Sequence, residues 1–208
     1  PICTSIDGYI IGAEVTIDQN FNFKKDDGEL TTTTQAGGQF AIVTEDEDLY
    51  NCLVNRPIIV DVPVGAGDST RGVVSSAFQM ILPSISDTGA TEIVVTPFSS
   101  LLSEAVLQGK SDAGIKEDLT VAEGCSSEGD SVASSISSRL STLHTSIENN
   151  FGISLDNLLS DFLENPYEGV NINVAQNIAN YFPSIKRIDD VISEYLSDRF
   201  DKTIRSNA

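Results

Sequence analysis

Oxygen-bearing side chains recur at alternate positions in one short segment near the start of the chain. The segment is Asp18-Gln-Asn-Phe-Asn-Phe-Lys-Lys-Asp-Asp-Gly-Glu29, and its first, third, fifth, ninth and twelfth positions carry Asp, Asn, Asn, Asp and Glu. Calcium takes roughly six to eight hard oxygen ligands, which a local loop with alternate inward-facing side chains can supply. The spacing therefore predicts a calcium-binding loop.

Each predicted ligand has a defined part in such a loop. Asp18, Asn20 and Asn22 would each give one side-chain oxygen, and Lys24 would give its backbone carbonyl. Asp26 would bind directly or through water, and Glu29 through both carboxylate oxygens. Magnesium is disfavoured because it prefers small octahedral sites rich in water. The alternative is a connection rich in Asx turns that binds no metal. The predicted metal ligands are Asp18, Asn20, Asn22, Lys24, Asp26 and Glu29.

The loop departs from the EF-hand pattern at its sixth position. EF-hands require glycine there for a sharp turn, whereas this chain has Phe23. The flanking residues have the β-branched composition of strands rather than the periodicity of helices. We therefore expect a calcium loop that joins two strands.

Residues that could act in catalysis give no coherent set. The only histidine, His144, lies in a Ser- and Thr-rich segment, and the nucleophile motif G-x-S-x-G is missing from the sequence. Gly65-Ala-Gly67 lacks the lysine of a phosphate-binding loop and precedes no predicted helix, which indicates a turn. Cys125 could be a thiol of lowered pKa near a helix start, but a disulfide or inert role is the preferred interpretation. We therefore expect a protein that is not an enzyme.

Short predicted strands surround the loop in the first half of the chain. The Gly37-Gly38 pair predicts a hairpin between two of them, and the acidic run Glu45 to Asp48 predicts a solvated connection. Six or seven short strands are typical of a sandwich. The predicted strands cover residues 9–17, 30–35, 39–43, 57–64, 73–82 and 91–95.

The spacing of hydrophobic residues changes from that of strands to that of helices at Thr96-Pro97. Thr96 is a good N-cap and Pro97 suits the first helical position, so a helix is predicted to begin there. Further helices are predicted after Ser111, along 132–147, over 155–163 after Ser154, along 174–181, and from Pro183 onward. Strands followed by helices, without alternation, indicate an α+β chain. The predicted fold is an N-terminal antiparallel β-sandwich domain, residues 1–96, followed by a C-terminal α-helical bundle, residues 97–208.

Charge limits the partners. The chain has 12 basic and 31 acidic residues, a net charge of −19. Nucleic acid and anionic membrane surfaces are disfavoured, because both require clustered Lys and Arg, and no apolar run reaches the roughly 20 residues of a membrane span. Acidity suits a salty extracellular setting rich in divalent cations, although it could also serve only to keep the protein soluble.

The three cysteines, Cys3, Cys52 and Cys125, lack the C-x-x-C spacing of zinc or redox sites. One disulfide with one remaining thiol fits an exported protein, and three buried thiols are the alternative. The sequence does not decide the pairing. The start at Pro1 rather than Met indicates processing or a part of a longer precursor.

Several segments resemble known bacterial surface proteins. Asp7-Gly-Tyr-Ile-Ile-Gly-Ala-Glu-Val-Thr-Ile-Asp18, the loop that follows, and Gly38-Gln-Phe40 resemble the calcium-binding, prealbumin-like β-domains of adhesins. These include carboxypeptidase-regulatory-like domains and the B-type repeats of serine-aspartate-repeat adhesins. The resemblance implies calcium ligands at Asp18, Asn20, Asn22, Asp26 and Glu29, with Phe23 in place of the usual glycine.

The resemblance extends beyond the β-domain. Pro57-Ile-Ile-Val-Asp-Val-Pro-Val-Gly-Ala-Gly-Asp-Ser-Thr-Arg-Gly72 and Ile93-Val-Val-Thr-Pro-Phe-Ser-Ser-Leu-Leu102 resemble exported Gram-negative proteins and lipoproteins in which a β-domain leads into a helical tail. It implies an extracellular or cell-surface location. We expect a structural or adhesive surface protein stabilised by calcium, whose partners are other copies of itself or other surface components. Self-assembly into a fibre or layer would follow if Pro1 to Ile6 or an edge strand pairs with a neighbour. The alternative is a monomeric secreted module whose helical half holds a ligand or partner.

Overall fold

The computed structural model describes residues 2–83, 93–107, 119–152, 154–167 and 170–179. Within these ranges the chain has a mixed α+β fold with largely antiparallel sheets. Strands dominate the part before residue 96, and the part after it is helical. The broad α+β prediction is therefore confirmed.

The strands are β1 (Ile2–Ser5), β2 (Ile10–Ile11), β3 (Glu14–Ile17), β4 (Thr31–Thr33), β5 (Gln39–Ala41), β6 (Ile58–Val62), β7 (Gly67–Asp68), β8 (Gly72–Val73), β9 (Phe78–Leu82) and β10 (Ile93–Val95). The helices are α1 (Glu47–Leu53), α2 (Pro97–Leu107), α3 (Val121–Gly124), α4 (Ser127–Phe151), α5 (Leu155–Leu158) and α6 (Ile172–Ala179).

The largest sheet carries the candidate loop. Its strand order is β4-β3-β6-β9, with every neighbouring pair antiparallel. Val15, Val60 and Met80 face one another across three strands and are fully buried. β-Branched residues suit such a pleated, packed surface, and their burial fixes the register of β3, the strand that leads into the loop, against β6.

The second sheet corrects one expectation about the chain end. β1 lies between β10, to which it is parallel, and β5, to which it is antiparallel. Cys3 and Thr4 therefore have strand partners on both sides within the same chain, whereas Ile2 and Ser5 each have a partner on one side. The prediction that the segment Pro1 to Ile6 is available to pair with a neighbouring molecule is wrong for Cys3 and Thr4.

Two local predictions fail at glycines. The predicted strand 9–17 is broken at Gly12, whose φ is 85°, so that β2 and β3 belong to different sheets. β4 and β5 also lie in different sheets, so Gly37-Gly38 makes no hairpin between them. These two residues lie instead in a 3-10 turn, and a side chain at Gly38 would overlap the carbonyl of Ser5. Glycine is needed here because two backbone segments pass in direct contact.

The acidic run is solvent-exposed as predicted, but it also starts a helix. The Asp46 carboxylate accepts a hydrogen bond from the Leu49 backbone N–H, and Glu47 and Asp48 form the first turn of α1. Negative charge at a helix N-terminus is favoured by the helix dipole. The solvated connection is therefore shorter than expected.

Most predicted helices in the second half are present. α2 begins at Pro97, α4 covers the predicted 132–147 region and ends before Gly152, and α6 overlaps the predicted 174–181 helix. Ser154 accepts a hydrogen bond from the Asn157 N–H, but α5 ends at Leu158 rather than Leu163. The helices predicted after Ser111 and from Pro183 lie outside the described residues.

A continuous hydrophobic core joins the strands to the helices. α2 packs against β9 on one side and against α4 and α6 on the other. Phe98 of α2 meets Phe162 edge to face, with ring centroids 5.6 Å apart, and both side chains belong to the same buried cluster as Val15 and Val60. A two-layered sandwich followed by a separate bundle, with a boundary at residues 96 and 97, stays a prediction.

Candidate metal centre

The candidate loop joins two paired strands, as the flanking residues predicted. β3 and β4 form an antiparallel pair in which Thr16 faces Thr31, and the Ile17 N–H donates to the Leu30 carbonyl at 3.0 Å. The segment between them, Asp18 to Glu29, is the candidate loop.

Asp18 organises the first turn of the loop. Its side chain is fully buried, and its Oδ1 and Oδ2 accept hydrogen bonds from the backbone N–H groups of Asn22 (3.2 Å) and Phe23 (2.8 Å). A carboxylate has about four acceptor sites on its two oxygens. Asp18 can therefore shape the loop and still offer an oxygen to a cation.

Three of the predicted ligands meet around one carboxylate oxygen. Asp26 Oδ2 accepts hydrogen bonds from Asn20 Nδ2 at 2.7 Å and from Asn22 Nδ2 at 2.5 Å. Because both amides point their nitrogen toward Asp26, a cation at this point requires them to turn their oxygens inward. That change is a half-turn about the last side-chain torsion of each Asn, which exchanges the nitrogen and oxygen of each amide group.

Glu29 closes the loop against its own start. Its Oε1 accepts from the Gln19 N–H at 2.8 Å and its Oε2 from the Asp26 N–H at 2.9 Å. Only 8% of the residue is exposed. Desolvation raises the pKa of Glu29 above its ordinary value and outweighs the opposing effect of these backbone hydrogen bonds.

Two aromatic residues adopt backbone conformations that glycine usually takes. Phe21 and Phe23 have φ values of 60° and 62°, in the left-handed region that bulky residues rarely occupy. Such strain costs roughly 1–3 kcal/mol per residue and persists where surrounding contacts impose it. Phe23 thus provides the sharp turn for which EF-hands use glycine, and Asp18 holds it there through the Phe23 N–H.

Lys24 contributes to the loop through its backbone. Its N–H donates to Asn22 Oδ1 at 2.8 Å, and its side chain is exposed. In the described part of the chain, no three His, Cys, Asp or Glu side chains form a group that could hold a metal ion. The ligands predicted for this loop include Asn and main-chain oxygens as well as carboxylates, which are oxygen ligands of the kind that calcium takes.

Sequence reasoning did not identify the residues that support the loop from outside. The fully buried Arg56 side chain lies over the Phe21 ring, 5.1 Å from its centroid, and donates to the Gly124 carbonyl at 3.0 and 2.6 Å. Its Nη2 also lies 2.9 Å from Asp130 Oδ1. Arg56 stands between Asn55 and Pro57 at the end of a helix, where nothing in the local pattern marks it as buried.

The cysteine pairing, which the sequence left open, is Cys52 with Cys125. Cys3 is buried in β1 and is not part of this bond. Gln19 Nε2 donates to Cys125 Sγ at 3.4 Å, which links the disulfide to the loop. The disulfide also lines a polar groove of about 660 Å³ between α1 and α4. Other side chains that line the groove are Asp48, Asn51, Asn55, Ser134 and Ser138.

Two further charged or titratable residues, Arg71 and His144, lie near carboxylates outside the loop. Arg71 forms ion pairs with the buried Asp7 and Asp68, and burial lowers the pKa of Arg71. His144 lies on α4 with its Nε2 3.7 Å from the Glu148 carboxylate. Gly65 lies in a turn, as predicted, with a φ of 93°.

Comparisons with protein-family models, with curated proteins and with solved structures gave no match to this chain. Among the helices within the described residues, none is both long enough and apolar enough to cross a membrane.

Proposed function

We propose that this chain is a non-enzymatic structural or adhesive protein of the bacterial cell surface, stabilised by one calcium ion in the loop Asp18 to Glu29. The observation that carries the proposal is the meeting of Asn20, Asn22 and Asp26 within hydrogen-bond distance at the end of a strand hairpin. Around them Asp18 and Glu29 hold the backbone of the loop. Calcium would stiffen this hairpin by binding the folded state alone.

The extracellular location is supported by two independent features. Disulfides persist in oxidising compartments, and this chain has one between Cys52 and Cys125. A net charge of −19 is tolerated best where salt screens self-repulsion and divalent cations are abundant. Both features agree with the resemblance to calcium-binding domains of bacterial adhesins.

Exposed apolar residues on the small sheet support self-assembly of this protein. The small sheet has the order β2-β7-β8, and its register places Ile11 and Val73 on either side of Gly67. Ile11 is 44% exposed and Val73 is 73% exposed, so the two outer strands of this sheet each present an apolar side chain to solvent. A second copy could cover this surface or extend the sheet.

The alternative proposal is a monomeric secreted module that binds a ligand or partner. The groove between α1 and α4 supports it, because carboxylate, amide and hydroxyl groups converge there around a volume of about 660 Å³. Such a lining favours a polar, hydrogen-bonding ligand.

Thermal unfolding with and without calcium tests the metal proposal. We expect calcium at about 100 times its Kd to add about 2.7 kcal/mol of stability, which raises the Tm of a chain of this size by roughly 5–10 °C. Asp26→Asn should lose most of this increment. Asp27→Asn should keep it, because Asp27 is an exposed neighbour with the same charge and is not a predicted ligand.

Magnesium at the same ionic strength serves as the control for screening of the negative charge. Equal increments with magnesium and calcium, or equal increments for both variants, would show that no calcium site exists in the loop.

A further inference from the structure

We propose that Arg56, Gly124 and the Cys52–Cys125 disulfide form a brace that holds the backbone of the loop Asp18 to Glu29 in the folded arrangement that a cation would need. Thiol reduction of the brace would then loosen the loop and weaken cation binding. This inference rests on the proposed calcium function of the loop and adds that the redox state of the disulfide regulates calcium affinity.

Arg56 is the first part of the brace. A fully buried guanidinium is costly unless its donors are used, and three of its hydrogen bonds reach Gly124 and Asp130. Its position 5.1 Å from the Phe21 centroid is within the range of a cation–π contact. Because Phe21 has a left-handed backbone conformation inside the loop, Arg56 supports the loop at one of its two strained positions.

Gly124 is the second part. A side chain at this position would overlap the Gln19 carbonyl and come within 3.2 Å of the Asn20 nitrogen, so the backbones of α3 and the loop are in direct contact. The Gln19 N–H is also the donor to Glu29 Oε1. A displacement of Gly124 would therefore alter the position of Glu29.

The disulfide fixes Gly124 in place. Cys125 follows Gly124 directly, and Cys52 belongs to α1, four residues before Arg56. The bond joins residues that are 73 positions apart and so restricts how far α1 and α3 can separate. Gln19 Nε2 adds a direct contact from the loop to Cys125 Sγ.

The disulfide is also accessible to a reductant. Cys125 is exposed, and both cysteines line the groove between α1 and α4. A thiolate of a dithiol attacks Cys125 Sγ, the S–S bond breaks, and Cys52 leaves as a thiolate that takes up a proton. The second thiol of the reagent then displaces Cys125. The protein gains two electrons and two thiols, and the dithiol is oxidised to its cyclic disulfide.

The simplest competing explanation is that the disulfide stabilises the whole fold without any particular effect on the loop. The two explanations differ in where the protein loosens. The brace predicts faster exchange of the loop amides bonded to Asp18 and Glu29, which belong to Gln19, Asn22, Phe23 and Asp26. General destabilisation predicts equally faster exchange in the central strand β6.

The test compares oxidised protein, protein reduced with dithiothreitol and desalted, and the Cys52→Ser/Cys125→Ser variant. Calcium binding is measured by calorimetry, and amide hydrogen exchange is measured without calcium. We expect reduction to weaken calcium binding roughly 10- to 100-fold, the usual effect of losing outer support at a metal site. The four loop amides should exchange faster while those of β6 are unchanged.

Arg56→Met provides a second route that leaves the disulfide intact. It should loosen the same four amides, whereas Arg71→Met, which removes ion pairs in the turn between β7 and β8 of the small sheet, should not. Unchanged loop exchange and an affinity within about twofold after reduction would overturn the brace, as would equal loosening of β6. If oxidised protein binds no calcium but reduction still loosens the loop, the calcium function fails and the coupling stands.

Discussion

Phe23 has a φ of 62° at the loop position where EF-hands use glycine. The ligand spacing could be recognised from sequence because it depends on residues within twelve positions of one another. The left-handed conformation of Phe23 could not, because it is imposed by the buried Asp18 carboxylate and, through Phe21, by the distant Arg56. The loop therefore has a tight turn in spite of its sequence.

Glu29 gives the loop a pH dependence whose sign follows from burial. Since its pKa is raised in the folded state, the contribution of Glu29 to stability is complete below its ordinary pKa and is lost as pH rises through the raised value. In the absence of calcium, the unfolding free energy of the wild type should therefore fall with rising pH relative to that of Glu29→Gln. Urea unfolding in a chelator at several pH values from 4 to 7 measures this difference.

Calcium should reverse that loss, because an ion bound in the loop would favour the ionised carboxylate and displace the proton. The calcium-dependent gain in stability should grow across the same pH range. If the unfolding free energies of the wild type and Glu29→Gln change with pH in parallel, burial does not raise the pKa of Glu29.

At the scale of elements, α2 protects the outer edge of the main sheet. Ser100 Oγ accepts from the Ile81 N–H at 2.9 Å, and Ser99 and Ser103 Oγ donate to the Ile81 carbonyl at 2.7 and 3.2 Å. All three serines are buried. The sequence indicated the start of this helix at Thr96-Pro97, but it could not show that these polar residues satisfy an edge strand, because the contact spans about twenty residues.

Ser100→Ala should leave the buried Ile81 N–H without its acceptor. We expect a loss of about 1–3 kcal/mol in the unfolding free energy. Ser135→Ala is the matched control, since its hydroxyl makes a solvent-exposed hydrogen bond within α4, to the Ser131 carbonyl. Chemical denaturation distinguishes the two, and equal effects would mean that the Ser100 contact contributes nothing to stability.

The elements themselves were easier to predict than their partners. Alternation located most strands, and three- and four-residue spacings located α4. Assignment of β2, β3, β4 and β5 to three different sheets depends on the break at Gly12 and on contacts of β1 with residues far along the chain. Local patterns carry no information about such pairings.

For the whole molecule, we expect self-association through the small sheet β2-β7-β8. Val73→Asp should shift sedimentation velocity profiles toward the monomer, because it places a charge among exposed apolar residues. Val43→Asp is the matched control, since Val43 is 74% exposed and lies outside that sheet. A wild-type protein that stays monomeric at high concentration, with and without calcium, would favour the alternative of a monomeric binding module.

The whole molecule also connects the loop to the helical half through Arg56 and the disulfide. Calcium binding is therefore expected to stabilise more than one hairpin. Its effect should extend to α3 and to the start of α4, because Gly124 and Asp130 share the buried guanidinium.

Calorimetric titration of calcium into the oxidised, chelator-treated protein measures whether the loop Asp18 to Glu29 binds the ion. We expect saturable binding of one ion per chain, strongly weakened in Glu29→Gln and retained in Asp27→Asn. Absence of saturable heat in the wild type, or the same binding curve for the wild type and Glu29→Gln, would rule out the calcium site.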